Sequence, residues 1–274
     1  MAVTRRTKLV KLGCMASVLG LSILGARRLA STMPNTLPPA LTVPPLTKHT
    51  ATVLFIHGLG DTGDGWRPVA DMFQADPGLS HVKWVLPHSP SIKVTANMGL
   101  EMPSWFDIIS FGFDCEEDET GMLRSAHAIN QLISAEIDSG VPPERIVVGG
   151  FSQGAAMSLL TGLSNERKVA GIVALSGWAP LRHKLKAMAS RHATSIPIFW
   201  GHGTHDPLVK FEFALDSIEF LKNRVGIPAT TLSAPDAAGL KGICFNTYST
   251  GHSTTEKELD DLKGWLKKVI PSKE

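Results

Sequence analysis

A serine hydroxyl is a poor nucleophile at neutral pH. It needs a base to take its proton, and the base needs a carboxylate to orient it. This chain offers those residue types at three separated positions. Ser152 stands at the centre of Gly150-Phe151-Ser152-Gln153-Gly154. The β-branched run Ile146-Val147-Val148 precedes it and Ala155-Ala156-Met157-Ser158-Leu159-Leu160 follows, so the setting reads as strand, sharp turn, helix. A serine between two glycines is, on its own, an ordinary loop feature. In this setting the glycines remove the Cβ atoms that would clash where strand and helix approach, and the turn lifts the hydroxyl to the carboxyl edge of a sheet. On such an elbow the partners follow in the order serine, acid, histidine. Asp206 comes just after the strand-like run Ile196 to Trp200, inside Gly201-His202-Gly203-Thr204-His205-Asp206-Pro207. His252 follows Gly251 and precedes an amphipathic C-terminal segment.

Ten histidines compete for the role of base. His57, His81 and His88 precede Ser152, the wrong order. His49, His127, His183 and His192 fall in linker or helix-surface positions. His202 and His205 flank Asp206, but no third ligand stands at useful spacing, so this H-x-x-H-D cluster reads as a glycine-rich turn and not as a metal site. Acyl transfer also requires donors for an oxyanion. The backbone N–H of Gln153, at a helix start, is the expected first donor. The N–H of Leu59, in His57-Gly58-Leu59-Gly60-Asp61-Thr62-Gly63, is the expected second; a plain turn is the alternative for that glycine cluster. The loop lacks G-K-[ST] and G-x-G-x-x-G, so phosphate binding fits poorly.

These residues must be carried by a frame of alternating strands and helices. Ala51 to His57, Val82 to Leu86, Arg145 to Gly149, Val169 to Leu175 and Ile196 to Trp200 are apolar runs of strand length, and Thr247 to Ser249 ends a last one. Between them Met122, Ala126, Ile129, Ile133 and Ile137 repeat at helical spacing, as do Leu215, Ile218 and Leu221, and Leu259, Leu262, Trp265, Leu266 and Val269. The pattern predicts an α/β fold of the α/β-hydrolase type, a mostly parallel sheet with helices on both faces. Asp206 and His252 then lie at the carboxyl edge, where such sheets build their sites. The acidic run Glu116 to Glu119 reads as a solvated loop.

The chain has 274 residues, is 43% hydrophobic and 19% charged, and carries a net charge of +2, which implies no polyanionic partner such as nucleic acid. Three cysteines, Cys14, Cys115 and Cys244, are too few and too odd for a disulfide framework and point to a reducing compartment. Residues 1–48 read as a separate segment and 49–274 as one hydrolase domain. No acid occurs before Asp61, whereas Arg5, Arg6, Lys8, Lys11, Arg27 and Arg28 do. The apolar stretch Leu12 to Ala26 is shorter than the ~20 residues of a spanning helix. Three readings of it stay open: a signal peptide or anchor, a mitochondrial presequence, or a start at Met33, followed by the Pro-rich linker Pro34 to Pro45. Cys14, beside the apolar run, is a candidate for palmitoylation, with an unmodified cysteine as the plainer reading.

Taken together, His57 to Gly63 with Trp66, Met102-Pro103-Ser104-Trp105-Phe106-Asp107-Ile108, the elbow, Leu175-Ser176-Gly177-Trp178 and Gly251-His252 resemble the acyl-protein thioesterase family, also called the lysophospholipase/carboxylesterase family. The resemblance runs from about Lys48 to the C-terminus. It implies a serine hydrolase that cleaves the thioester of S-palmitoylated cysteines in proteins, with side activity on lysophospholipids and small esters. It implies no metal and no organic cofactor, and a cytoplasmic and also nuclear location. It assigns Ser152, Asp206 and His252 to the triad and Leu59 and Gln153 to the oxyanion hole.

Ile92, Met98, Leu100, Trp105, Phe106 and Trp178 are candidates for lining an acyl channel, since the segment from Ile92 to Phe106 is apolar without helix or strand period. Core packing of Trp105, Phe106 and Trp178 is the alternative. A lysophospholipase or general carboxylesterase, and an inactive lipid-binding module on the same fold, are the rival functions. S-acylated proteins are the expected partners, with peripheral membrane contact allowed and oligomeric state open. The N-terminal extension and a long connection from Ser233 to Phe245 depart from the family pattern.

Overall fold

The computed structural model describes residues 37–110, 112, 114–231 and 240–273. The apolar stretch Leu12 to Ala26, Cys14, Met33 and most of the 233–245 connection lie outside them.

Ten strands and six α-helices are present among the described residues. In chain order the strands are β1 (Leu41–Val43), β2 (Ala51–Ile56), β3 (Val82–Leu86), β4 (Ser91–Val94), β5 (Leu100–Pro103), β6 (Ile146–Phe151), β7 (Gly171–Leu175), β8 (Ile198–Gly203), β9 (Ala229–Thr231) and β10 (Ile243–Tyr248). The helices are α1 (Arg67–Gln74), α2 (Glu119–Asp138), α3 (Gln153–Ser164), α4 (Arg182–Met188), α5 (Phe211–Phe220) and α6 (Glu256–Val269).

Eight strands form one sheet in the order β1-β3-β2-β6-β7-β8-β10-β9. All neighbours are parallel except β1, which runs antiparallel to β3 with Leu41 opposite Leu86 and Val43 opposite Trp84. This is the expected mostly parallel α/β-hydrolase sheet. The segment read as a Pro-rich linker thus supplies an edge strand, and the folded sheet takes in residues before His49. Its three-residue length explains why no strand period showed there.

Strand side chains alternate between two cores, as a pleated sheet buried on both faces requires. Leu54, Ile56, Val148, Ile172 and Trp200 face one, where α2 contributes Met122, Ile129 and Ile133 and α3 contributes Met157, Leu159 and Leu160. Val53, Phe55, Val147, Val173 and Phe199 face the other, against Phe73 of α1 and Leu262, Trp265 and Leu266 of α6. Every residue of α3 from Gln153 to Leu163 is buried. A helix buried around its whole circumference belongs in the interior, even though Gln153, Ser158 and Thr161 are among its residues.

The chain order reverses between β2 and β6: β3 lies on one side of β2, and β6 to β8 continue on the other. A parallel sheet opens a crevice at the carboxyl ends of its strands at such a point. The loop after β2 holds Leu59 and the turn after β6 holds Ser152, so the topology alone brings both to one crevice.

Two readings are corrected here. The aperiodic segment from Ile92 to Phe106 contains an antiparallel hairpin, β4 with β5, in which Ile92 faces Met102 and Val94 faces Leu100. The acidic run is not simply a solvated loop. The Asp118 side chain caps α2 by accepting from Gly121 N, Glu119 is in its first turn, where a carboxylate favours the helix dipole, and Glu117 is turned inward.

Candidate active site

The elbow after β6 is as tight as two glycines allow. A Cβ on Gly150 would lie 2.4 Å from the Gly154 carbonyl, and one on Gly154 would lie 2.0 Å from the Ile56 carbonyl oxygen. Both obstacles are backbone, so neither position admits a side chain without prising α3 off the sheet. The turn leaves Ser152 at φ 55° and ψ −119°, a conformation costly for a residue with a Cβ. The backbone around it repays part of that cost, since Ser152 N donates to Leu175 O at 2.8 Å.

The structure brings Ser152, Asp206 and His252 together. His252 Nε2 lies 2.9 Å from Ser152 Oγ, and His252 Nδ1 lies 2.7 Å from Asp206 Oδ2. The second Asp206 oxygen accepts from Leu208 N and Val209 N, each at 2.9 Å. Burial, the largest single influence on Asp206, pushes its carboxyl up. The His252 hydrogen bond and charge and the two backbone donors together outweigh it and hold the group below the ordinary carboxylate value. His252 is also braced by the Phe151 ring, whose centroid is 4.8 Å away.

His202 lies 3.7 Å from Asp206 but belongs to the frame. It is fully buried, its Nε2 donates to Val209 O at 2.8 Å, and burial lowers its pKa, so it stays neutral. It therefore fixes the loop that supplies the Asp206 donors and brings no charge to the carboxylate. His205 pairs with the neighbouring Thr204 hydroxyl.

Leu59 and Ser152 border the same cavity of about 270 Å³. Gln153 N opens α3, where the first helical N–H groups have no partner within the helix. Leu59 therefore lies on the cavity onto which Ser152 opens, and Gln153 follows Ser152 at the helix start.

Of the six expected channel residues, Phe106 and Trp178 border the cavity, with their rings edge to face at 6.2 Å. The other four do not. Ile92 is buried in the hairpin, Met98 and Leu100 point to solvent at 88% and 54% exposure, and Trp105 is at 0% in the core beside Ile56. Ile92 and Val94 are buried on one face of the hairpin, while Leu100 on that same face and Met98 at the connection between the strands stay exposed, a division that a loop reading could not foresee. The remaining wall comes from residues the sequence reading missed. Phe151, Leu208 and Val209 are chain neighbours of Ser152 and Asp206, a signal that was available. Met122, Ile108 and Phe213 are brought in only by the fold. Glu117 also borders the cavity. Its Oε2 accepts from Leu181 N at 2.8 Å, and burial raises its pKa against that bond.

A nucleophile elbow at the switch point of a doubly covered parallel sheet, with an acid and a histidine after later strands, defines an α/β-hydrolase. The chain belongs to the Phospholipase/Carboxylesterase family, whose model matches residues 38–270. It is 48% identical over 238 residues to acyl-protein thioesterase 1 of Cryptococcus neoformans, covering 84% of this chain and 97% of that protein. It is 45% identical over 235 residues to the acyl-protein thioesterase 1 of Mycosarcoma maydis, covering 82% and 93%. Among solved structures it is similar to Arabidopsis thaliana SOBER1, with a TM-score of 0.72 at 31% identity over 81% of this chain and 99% of that one. It is also similar to Zea mays acyl-protein thioesterase 2, with a TM-score of 0.70 at 29% identity over 84% and 98%.

Proposed function

We propose that this chain is an acyl-protein thioesterase, a serine hydrolase that releases fatty acid from S-acylated cysteines of proteins through an acyl-enzyme. The hydrogen-bonded chain from Ser152 through His252 to Asp206, opening on an apolar cavity, carries this reading. The acyl-protein thioesterase names of the fungal relatives supply the substrate class.

In this mechanism Ser152 Oγ attacks the thioester carbonyl as His252 Nε2 takes its proton. Asp206 holds His252 in the Nδ1–H tautomer and stabilises the imidazolium. The N–H groups of Leu59 and Gln153 hold the oxyanion. The tetrahedral intermediate collapses, the C–S bond breaks, and the thiol leaves with the proton from His252. Water, activated by the same imidazole, then hydrolyses the Ser152 ester. The acyl chain lies along Phe106, Phe151 and Trp178, where each buried methylene contributes roughly 0.8 kcal/mol.

The family description also covers phospholipases and carboxylesterases. The charged side chains bordering the cavity are Asp61, Asp107, Glu116 and Glu117, with no lysine or arginine among the described lining residues. A phosphate next to that rim is repelled, which favours a protein thioester over a lysophospholipid. The test is hydrolysis of an S-palmitoyl peptide and of a lysophospholipid by the full chain and by Ser152→Ala. Serine-dependent turnover with the peptide preferred is the expected outcome. Turnover undiminished in Ser152→Ala removes the mechanism, and a preference for the lipid moves the chain to lipid metabolism. We place the enzyme in the cytoplasm and also the nucleus. Imaging the full chain against residues 33–274 tests that location and whether the N-terminal segment acts as an address.

A further inference from the structure

The side chain of Gln153 has no part in the mechanism above, yet it is fully buried directly behind the nucleophile and hydrogen-bonded at both ends. Its Oε1 accepts from Trp105 N at 2.9 Å, and its Nε2 donates to Phe106 O and to Ser104 Oγ, each at 2.9 Å. The Ser104 hydroxyl spends its own proton on Phe106 O at 2.7 Å. The backbone partners fix the amide orientation, because a flipped Gln153 would set N–H against N–H and oxygen against oxygen.

The clamped segment reaches the site in two directions. Phe106 is a wall of the cavity. Trp105 Nε1 donates to His57 O at 2.9 Å, at the start of the turn that carries Leu59. Within that turn Ser89 N donates to His57 Nε2 at 3.1 Å, so the ring proton is on Nδ1, which donates to Gly58 O at 2.7 Å. Gly58 O also accepts from Asp61 N at 3.3 Å. The Gly58 C=O and the Leu59 N–H belong to one trans peptide and point opposite ways. Holding the carbonyl against the buried His57 ring turns the N–H toward the cavity that Gly58 and Leu59 border.

We propose that the Gln153 side chain is a positioning group: by clamping Ser104 to Phe106, and through Trp105 the turn from His57 to Leu59, it holds both oxyanion donors and the Phe106 wall at fixed spacing. Preorganised donors are effective because they need no rearrangement as charge develops. Loosening the clamp therefore acts on kcat more than on KM. The inference rests on the reading of Ser152 as nucleophile.

The test uses the full chain, an S-palmitoyl peptide as substrate, and rates per active site titrated with a fluorophosphonate. Gln153→Glu keeps the acceptor for Trp105 N but sets a carboxylate oxygen against Phe106 O. At about pH 8, kcat is expected to fall about ten- to a hundredfold with KM within about threefold, below the ~10²–10³ lost when an oxyanion donor is removed outright. The ratio of variant to wild-type kcat is expected to rise toward about pH 5.5, where a protonated Glu donates to Phe106 O again. Trp105→Phe deletes only the indole donor to His57 O, and its kcat is expected to fall about three- to tenfold at unchanged KM, the loss of one buried hydrogen bond. It decides the matter should Gln153→Glu fail to fold. A kcat within twofold of wild type in the folded variants, or a loss lying wholly in KM, overturns the proposal. Equal loss at every pH in a folded Gln153→Glu does the same. Those results with Ser152 still essential overturn this inference alone, whereas activity surviving Ser152→Ala overturns the functional reading itself.

Discussion

At Asp206 two influences oppose each other. Burial disfavours the carboxylate, and one imidazole with two backbone N–H groups favours it more strongly. The residue is thus held ionised, with each oxygen assigned: Oδ1 to the backbone of 208–209 and Oδ2 to His252. Asp206→Asn tests what the charge and acceptor contribute, because an amide is nearly isosteric. Its oxygen can still accept from Leu208 and Val209. Its NH₂ then faces His252 Nδ1 and selects the tautomer with the proton on Nε2, which cannot take one from Ser152. We expect kcat to fall about 10⁴-fold, as for this change in other triads. The cavity and core are untouched, so the thermal midpoint should stay within a few degrees, by ~1 kcal/mol or less. A kcat within tenfold of wild type would show that His252 is oriented without Asp206.

Helix α6 carries a conflict of a different kind. Its start matches a capping box, Thr255-x-x-Glu258, and Thr255 Oγ1 does accept from Glu258 N at 3.1 Å. The Glu258 carboxylate is fully buried beneath β8, against Gly201, where a Cβ would come within 2.1 Å of Oε1. Burial, aided by the nearby Asp261 charge and opposed by the Thr255 N–H, pushes its pKa up to about 7 from 4.5. The folded chain then binds a proton at Glu258 that the unfolded chain releases, so stability from this group falls as pH rises from about 4.5 and levels off above about 7. At 1.36 kcal/mol per pH unit the contribution is about 3 kcal/mol. Glu258→Gln removes that slope. Denaturant unfolding from pH 4.5 to 8 should show the variant gaining on wild type by about 3 kcal/mol across the range. A constant difference between the two would mean that Glu258 is ionised in the folded protein.

The same scale shows what the chain made legible. The strands β2, β3, β6, β7 and β8 were readable because strands buried on both faces are continuous apolar runs. Helices α2, α5 and α6 were readable because each buries one stripe. The triad positions were readable because strand, loop and helix order dictates where a partner can stand. The hairpin β4–β5 was not, because four residues per strand are too few to set a period, and only in β4 does alternation correspond to burial. Its partner Leu100–Pro103 is exposed or half-buried along its length, so no buried face marks it. The cavity wall was legible next to Ser152 and Asp206 and illegible at Met122 and Phe213, which reach it only through the packing of helices α2 and α5. Glu117 was hidden by its own neighbours, since nothing in a run of four acids says which one turns inward.

At the scale of the whole molecule, the sheet ends in β1, a strand drawn from a stretch that composition assigns to a linker. Its three residues give β3 a partner on the side away from β2. Gln74, at the end of α1, fastens it: the buried Nε2 reaches Val43 O at 3.3 Å, Pro44 O at 2.9 Å and Val82 O at 2.8 Å. Removing residues before His49 would strip two of those three acceptors, uncover Val43's contacts with the α1 side of the core and leave β3 as an open edge. Open apolar edges pair with other chains. Two strands, β3 and β2, stand between β1 and the Ser152 turn after β6, so chemistry and this edge are separable. A chain of residues 34–274 and one of residues 49–274 should therefore show similar kcat per titrated Ser152 while both are folded. The shorter chain should lose about 2–4 kcal/mol of stability, from lost ladder bonds and apolar burial, and should aggregate on heating at lower temperature. Equal unfolding midpoints for the two chains would mean that β1 is a passive attachment to the sheet and that the folded domain does begin at His49.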